Sequence, residues 1–297
     1  MRLLTSTILG LLVCCTTARL SICGAKGPQA LRNKYNETGG GGLSLLPMWP
    51  ELFTIKVYFH IITSTTEEHG LYHPYMLAKQ MDVLNTGFAH GKYTPLRRAK
   101  FKFTLAGVTR TVNYNWAHDN PNDYKTDWSP NEKQYKKALR KGGYSDVNVY
   151  ILSHMHEGEL LGIATYPRAE PIRWADGIIL LASTMPGGSK EGFDQGKTLV
   201  HEMGHWLGLY HTFGTGCGDG PCSCDGPGDY VDDTTVGNHV YRGDCTAAVN
   251  SCPDHVGYDD ISNYMNYGKD VCDMHFTALQ GQRMRVLYGN LRWKRWE

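Results

Sequence analysis

A chain of 297 residues that sets 30 lysines and arginines against 29 aspartates and glutamates, for a net charge of +1, has no surplus charge to hold a nucleic acid or an anionic membrane surface. Its length suits one sizeable domain with a leader, or two subdomains around a cleft. With 41% hydrophobic residues it can bury a real core.

Residues 1–18 read as a signal peptide. Arg2 supplies a positive start, Leu3–Cys15 an apolar run, and Thr16-Thr17-Ala18 a small-residue end. The run is shorter than the roughly 20 apolar residues a spanning helix needs, so a soluble protein, secreted to the extracellular space, is expected; a monomer is expected as well. Residues 19–50 read as a pro-segment. Gly39–Gly42, Pro47 and Pro50 resist regular structure and suit proteolytic maturation. Asn36-Glu37-Thr38 is an N-glycosylation sequon. At the other end, Arg292–Trp296 is a short basic stretch, read as a solvated tail.

Between the ends, Thr54–Ile62 is apolar and β-branched and reads as a buried strand. Pro74–Phe88 carries Leu77, Met81, Leu84 and Phe88 on one helical stripe. Phe101, Phe103 and Leu105 alternate as in a strand. Asn131–Arg140 is a short charged helix with Tyr135 and Leu139 inward, and Val147–Leu152 and Gly177–Leu181 are two further strands. This order implies an α+β fold, a mixed sheet backed by helices. Lys197–Leu207 follows as a helix. Gly214–Asp260 has no periodicity and needs bridges or ions to hold it. Thr277-Ala278-Leu279-Gln280 is a capping box that opens a last helix, with Leu279, Met284 and Leu287 inward.

Chemistry concentrates in His201-Glu202-Met203-Gly204-His205-Trp206-Leu207-Gly208-Leu209-Tyr210-His211. Residues four apart share a helix face, so His201 and His205 can hold one ion. Gly208 permits a sharp exit from the helix, and the turn returns His211 as a third imidazole. Three neutral nitrogens suit Zn²⁺ and leave a fourth position open, as catalysis requires and a structural site does not. Glu202 stands where it can act as base toward water on that ion. Downstream stands Tyr264-Met265-Asn266-Tyr267.

The extended motif together with Met265 resembles the metzincin zinc peptidases, and the resemblance implies that Met265 forms a Met-turn, a soft apolar floor beneath the ligands. Leu199-Val200 before it, Thr212-Phe213 after it and the segment Asp260–Met284 are similar to the pappalysin family of that group, in its secreted, fungal-type branch. The likeness extends upstream through Phe103–Gly107, Asn148–Tyr150 and Asp176–Ile179. It implies a metzincin-type zincin over residues 51–293, with an upper sheet subdomain (51–208) that includes the zinc helix. A loop-rich, disulfide-bonded lower subdomain (209–293) would face it across the cleft.

The resemblance implies further assignments. Six cysteines in the last third allow 15 pairings, and sequence alone does not choose among them. The family pattern suggests the crossed bridges Cys224–Cys252 and Cys245–Cys272, leaving Cys217–Cys222 to close a small loop. In metzincins a tyrosine placed like Tyr267 can stabilise the developing oxyanion. Cys23 has two readings: it leaves with the signal, or it is a latency thiol for the open metal position. Asp225, Asp229, Asp232 and Asp233 form an acidic loop, a candidate for Ca²⁺. Protein or peptide substrates would lie extended along an exposed sheet edge, for which Gly177–Leu181 is the candidate. Two other functions compete with a secreted zinc endopeptidase: an inactive binding domain on a peptidase fold, and a zinc amidase acting on a non-peptide bond. The intact His201, Glu202, His205 and His211 argue against the first.

Overall fold

The computed structural model describes residues 21–23, 49–89, 100–121, 128–213, 224–225, 228–238, 241, 243–272 and 274–293. Its strands are β1 (Ser21–Cys23), β2 (Phe53–Thr63), β3 (Phe101–Val112), β4 (Val147–Leu152), β5 (Leu160–Ala164) and β6 (Ile178–Leu181). The helices are α1 (Pro74–Ala89), α2 (Tyr114–Ala117), α3 (Pro130–Leu139), α4 (Lys197–Trp206) and α5 (Ala278–Leu291), with short 3₁₀ turns between. No helix among the described residues is long and apolar enough to cross a membrane. The signal peptide, Asn36, the glycine run, Cys217, Cys222 and the last four residues lie outside the described residues.

The strands form one sheet in the order β1-β5-β6-β4-β2-β3. β3, β2, β4 and β6 run parallel, β5 runs antiparallel to β6, and β1 runs parallel to β5. The inner parallel strands β4 and β6 are covered on both faces, which is why their sequences read as near-continuous apolar runs. Successive side chains still divide between two cores. Val149, Ile151, Ile178 and Leu180 pack on one side with Leu77, Met81 and Leu84 of α1, Leu199 and Met203 of α4, and Met284 of α5. Tyr150, Leu152, Ile179 and Leu181 pack on the other with Tyr135 of α3 and Ala117 of α2. The α1 and α4 helices meet closely at Gly87, where a Cβ would come within 2.7 Å of Val200 Cγ1.

One expectation is corrected. The strand at Gly177–Leu181 is not an edge: β6 lies inside the sheet, bonded to β4 and β5. The sheet's edges are β1 and β3, and β5 lies next to the edge, covered by the three residues of β1. Leu160-Leu161-Gly162-Ile163-Ala164 is short, apolar and glycine-broken, so its periodicity carries no strand signal, and its pairing is set by tertiary contact. Elsewhere the expected elements stand within a residue or two, except that β3 runs on to Val112.

The described residues between 207 and α5 form no helix or strand beyond an isolated bridge of Asn263 with His275. The crossed disulfides Cys224–Cys252 and Cys245–Cys272 tie this region together. The α5 cap is reciprocal: Gln280 N donates to Thr277 Oγ1 at 3.2 Å, and Thr277 N donates to Gln280 Oε1 at 2.9 Å. Asp233 adds its carboxylate, accepting from Thr277 Oγ1 at 2.6 Å and from Leu279 N at 2.9 Å.

Candidate metal centre

The α4 helix begins at Gly196, whose φ of +83° and missing side chain leave its first amides uncapped from within. Asp270 of the lower region supplies the acceptor: its Oδ2 stands 3.5 Å from Lys197 N, the first helical amide, and takes Gln195 N, just before the helix, at 2.8 Å. Burial pushes that carboxyl up to about 6, with the amides pulling the other way. Lys197 closes the same junction, its Nζ donating to Cys272 O at 2.6 Å and also to Asp270 O. The N-terminus of the motif helix is thus tied to the chain just after Met265.

His201 and His205 are buried one turn apart on α4. His201 Nδ1 donates to Tyr264 O at 2.6 Å, and His205 Nδ1 donates to Leu209 O at 2.8 Å, with the Tyr166 hydroxyl also 3.0 Å from that nitrogen. A neutral imidazole carries one proton, so both Nε2 atoms present lone pairs. Gly208 then takes φ +106°, and a Cβ there would lie 2.3 Å from Leu287 Cδ1 of α5. Glycine is therefore required twice over, for the turn and for the close helix. The turn delivers half-buried His211, and His205 Nε2 stands 3.1 Å from His201 Nε2 and 3.0 Å from His211 Nε2.

That cluster is unfavourable unless a cation occupies it, because the lone pairs of His201 and His205 have no proton to share. Three nitrogens bound tetrahedrally to Zn²⁺ would be about 3.3 Å apart, close to the separations here, so the donor set fits that ion. Burial pushes His201 down to about 4, against the Tyr264 carbonyl. Enclosure, then the neighbouring imidazoles, holds His205 and His211 well below the usual histidine range. All three are neutral at pH 7, as metal ligands must be.

Glu202 is wholly buried beside the ligands. Above it runs β5, and Gly162 makes room: a Cβ there would fall 2.6 Å from Glu202 Cγ and Oε1. Met265 is fully buried, with its sulfur against Gly204 of α4, where a Cβ would come within 2.5 Å of Sδ. Its turn is anchored by Asn263 Oδ1 accepting from Met265 N at 2.9 Å, and by Thr212 N donating to Met265 O at 3.3 Å. The Tyr267 ring stands edge-on to His211 at 4.9 Å between centroids and 5.7 Å from His201. Beside His201 opens a small pocket lined by Phe193, Thr198, Tyr264, Asn266, Tyr267 and Met274, among others.

The remaining candidates divide. β1 sets Cys23 across from Gly162 in backbone register. The acidic loop does not gather: Asp233 caps α5, while Asp229 Oδ1 accepts from Val231 N at 3.1 Å and Thr234 Oγ1 at 2.8 Å within its own turn. Among the described residues, His201, His205 and His211 are the one group of three or more that could share a metal ion. Gly162, Tyr166, Lys197 and Asp270 were not legible as site residues. Each acts through a contact distant in sequence, and no local pattern marks them.

Comparison with known proteins agrees with this geometry. The Peptidase_M43 family, described as pregnancy-associated plasma protein-A, matches residues 133–288. An extracellular metalloprotease of Sordaria macrospora is 38% identical over 261 residues, covering 86% of this chain and 80% of its own. Extracellular metalloprotease 1 of Coccidioides posadasii is 39% identical over 246 residues, covering 80% and 78%. Among solved structures, mature mirolysin of Tannerella forsythia in complex with a cleaved peptide shares the fold. The TM-score is 0.62 at 24% identity, over 80% of this chain and 92% of that one.

Proposed function

The chain belongs to the M43 family of zinc metallopeptidases, and from that premise we propose that it is an extracellular endopeptidase in which Glu202 is the general base. The observation that carries the reading is the meeting of three Nε2 atoms, those of His201 and His211 each within 3.1 Å of that of His205, with Nδ1 of His201 and His205 hydrogen-bonded to a backbone carbonyl. Zn²⁺ held by His201, His205 and His211 would lower the pKa of a bound water toward about 7 and polarise the scissile carbonyl.

The chain's own residues do the rest. The Glu202 carboxylate takes the proton of the attacking water and returns it to the leaving amine. Glu202 is shielded from bulk solvent under β5, so that proton has few other acceptors. The Tyr267 hydroxyl stabilises the oxyanion; its ring contacts with His201 and His211 support that role. Substrate lies extended along β5, taking main-chain hydrogen bonds from the edge that β1 covers in this chain. The residue after the scissile bond enters the pocket beside His201.

The pro-segment reading follows from the same edge. Residues 1–18 are the signal peptide, 19–50 the pro-segment and 51–293 the catalytic domain. Of the two readings of Cys23, the register of Cys23 opposite Gly162 favours the latency thiol, since Gly162 packs on Glu202. Cys217–Cys222 and glycosylation at Asn36 belong to the proposal on the sequence grounds given above. Ca²⁺ on the acidic loop would require Asp233 to leave the cap of α5; Zn²⁺ is the one ion of this proposal. Substrates are extracellular proteins, and no partner chain is invoked.

Casein or gelatin zymography of the processed protein, with and without a zinc chelator, tests the reading. Clearing that the chelator abolishes and added zinc restores is expected. Clearing that resists chelation contradicts it. Zinc-dependent amidase activity with no clearing of any protein would assign the site to a non-peptide bond.

A further inference from the structure

Two arginines at the C-terminal end of the chain are almost wholly enclosed, Arg283 of α5 at 1% exposure and Arg292 just beyond it at 0%. Both reach out of their own helix to carbonyls where α4 ends. Arg292 Nε donates to Trp206 O at 3.1 Å while its Nη1 meets Asp176 Oδ1 at 2.9 Å. Arg283 Nε donates to Gly208 O at 2.9 Å, and its guanidinium lies over the Tyr210 ring at 5.0 Å. Tyr210 packs on Tyr166 at 5.3 Å between centroids, and the Tyr166 hydroxyl stands 3.0 Å from His205 Nδ1.

The carbonyls that end a helix have no intrahelical donors, and a buried cation there is favourable twice, as donor and against the helix dipole. The carbonyl that Arg283 satisfies belongs to Gly208, the residue whose φ of +106° turns the chain toward His211. Leu287, one turn further along α5, blocks the space a side chain at 208 would take. The arm that carries the third imidazole is thus fixed from outside the motif.

On the zinc reading above, we infer that Arg283 is a positioning residue for the metal. It pins Gly208 O and backs Tyr210 against Tyr166. It thereby holds His211 and the His205 ring at the separation at which three nitrogens take one ion. It touches neither substrate nor metal.

The test measures zinc affinity, by competition with a fluorescent chelator, for the processed protein and three variants, with zinc-free melting curves alongside. Arg283→Met keeps the apolar stem and removes the donor. Arg283→Lys keeps one donor. Arg285→Met, on the same helix, removes contacts to the carbonyls of Glu51 and Lys100 and leaves the arm alone. Loss of a residue that orients metal ligands typically weakens binding about 10–100-fold. That loss is expected for Arg283→Met, with partial rescue by Arg283→Lys and wild-type affinity for Arg285→Met. A folded Arg283→Met protein that binds zinc as tightly as wild type overturns the inference. An equal loss from Arg285→Met overturns it too, by reducing the effect to general loosening. If neither Arg283 variant folds, Arg283 is a folding residue and the inference also fails. A wild-type protein that takes no zinc overturns the zinc reading itself.

Discussion

Gly162 gives a sharp way to separate the base from the metal. It lies in β5 in ordinary extended backbone, so alanine there brings no dihedral strain. The new methyl, however, would sit 2.6 Å from Glu202 Cγ and Oε1 and 2.8 Å from Cδ. Ordinary carbon contacts begin near 3.5 Å, so the carboxylate must move by about 1 Å or β5 must lift. Misplacement of a reacting group by that distance costs about 10²-fold, equivalent to about 2.7 kcal/mol of barrier. Overpacking itself removes about 1–3 kcal/mol of stability. The three atoms nearest the methyl all belong to Glu202 and none to an imidazole, so zinc content should not change. The expected Gly162→Ala protein is folded and zinc-loaded, with kcat/KM down about a hundredfold. A variant with full activity would show that the position of Glu202 under β5 does not govern the reaction. A variant that loses zinc along with activity would show that the strand supports the ligands instead.

Glu202→Gln should retain one zinc per chain by mass spectrometry while turnover falls about 10²–10⁴-fold; zinc loss would move Glu202 from base to ligand support. Cys23→Ala should make the unprocessed protein active toward peptide substrates while the unprocessed wild type stays silent, and equal silence from both would remove Cys23 from latency. Burial pushes the Asp229 carboxyl up to about 7 from an ordinary 3.8, so the folded state keeps a proton that the unfolded chain releases. That contribution is fully present below about pH 4 and lost as pH rises through 7. Asp229→Asn keeps the acceptor for Val231 N and Thr234 Oγ1 and does not titrate. Its stability relative to wild type should therefore grow between pH 4 and 7, by about 4 kcal/mol at most, and then level off. A difference that stays flat across that range in thermal melts would show that Asp229 is not held protonated.

What was legible in the sequence follows from how local each determinant is. The metal triad lies within eleven residues, its geometry dictated by one helical turn and one glycine, so spacing alone placed it. Helix α1 announced itself through Leu77, Met81, Leu84 and Phe88, and α5 through its capping box, because both signals repeat at the helical period. The crossed disulfides were not derivable from spacing, and resemblance to a family supplied them. Strand β5 escaped because five apolar residues with a central glycine fit several structures equally well. Its placement beside β6 is decided by what covers it.

The residues missed at the site share one physical character. Asp270 and Lys197 join the Met265 segment to the start of α4, and Arg283 and Arg292 join α5 to its end. Asp270 and Arg292 meet backbone groups that a helix terminus leaves bare, while Lys197 holds the carbonyls of Asp270 and Cys272 and Arg283 that of Gly208 just past the helix. Such groups advertise a need in the sequence, an uncapped Gly196 at one end and Gly208 at the other, but not where the partner stands. The motif thus specifies the ligands and leaves their rigidity to polar side chains sixty to ninety residues further along the chain, with separations of 75 for Arg283 to Gly208 and 86 for Arg292 to Trp206. A fragment that ended after the motif would carry all three imidazoles and lack the contacts that hold them together. On this argument metal affinity should depend on the integrity of the C-terminal helix as much as on the histidines.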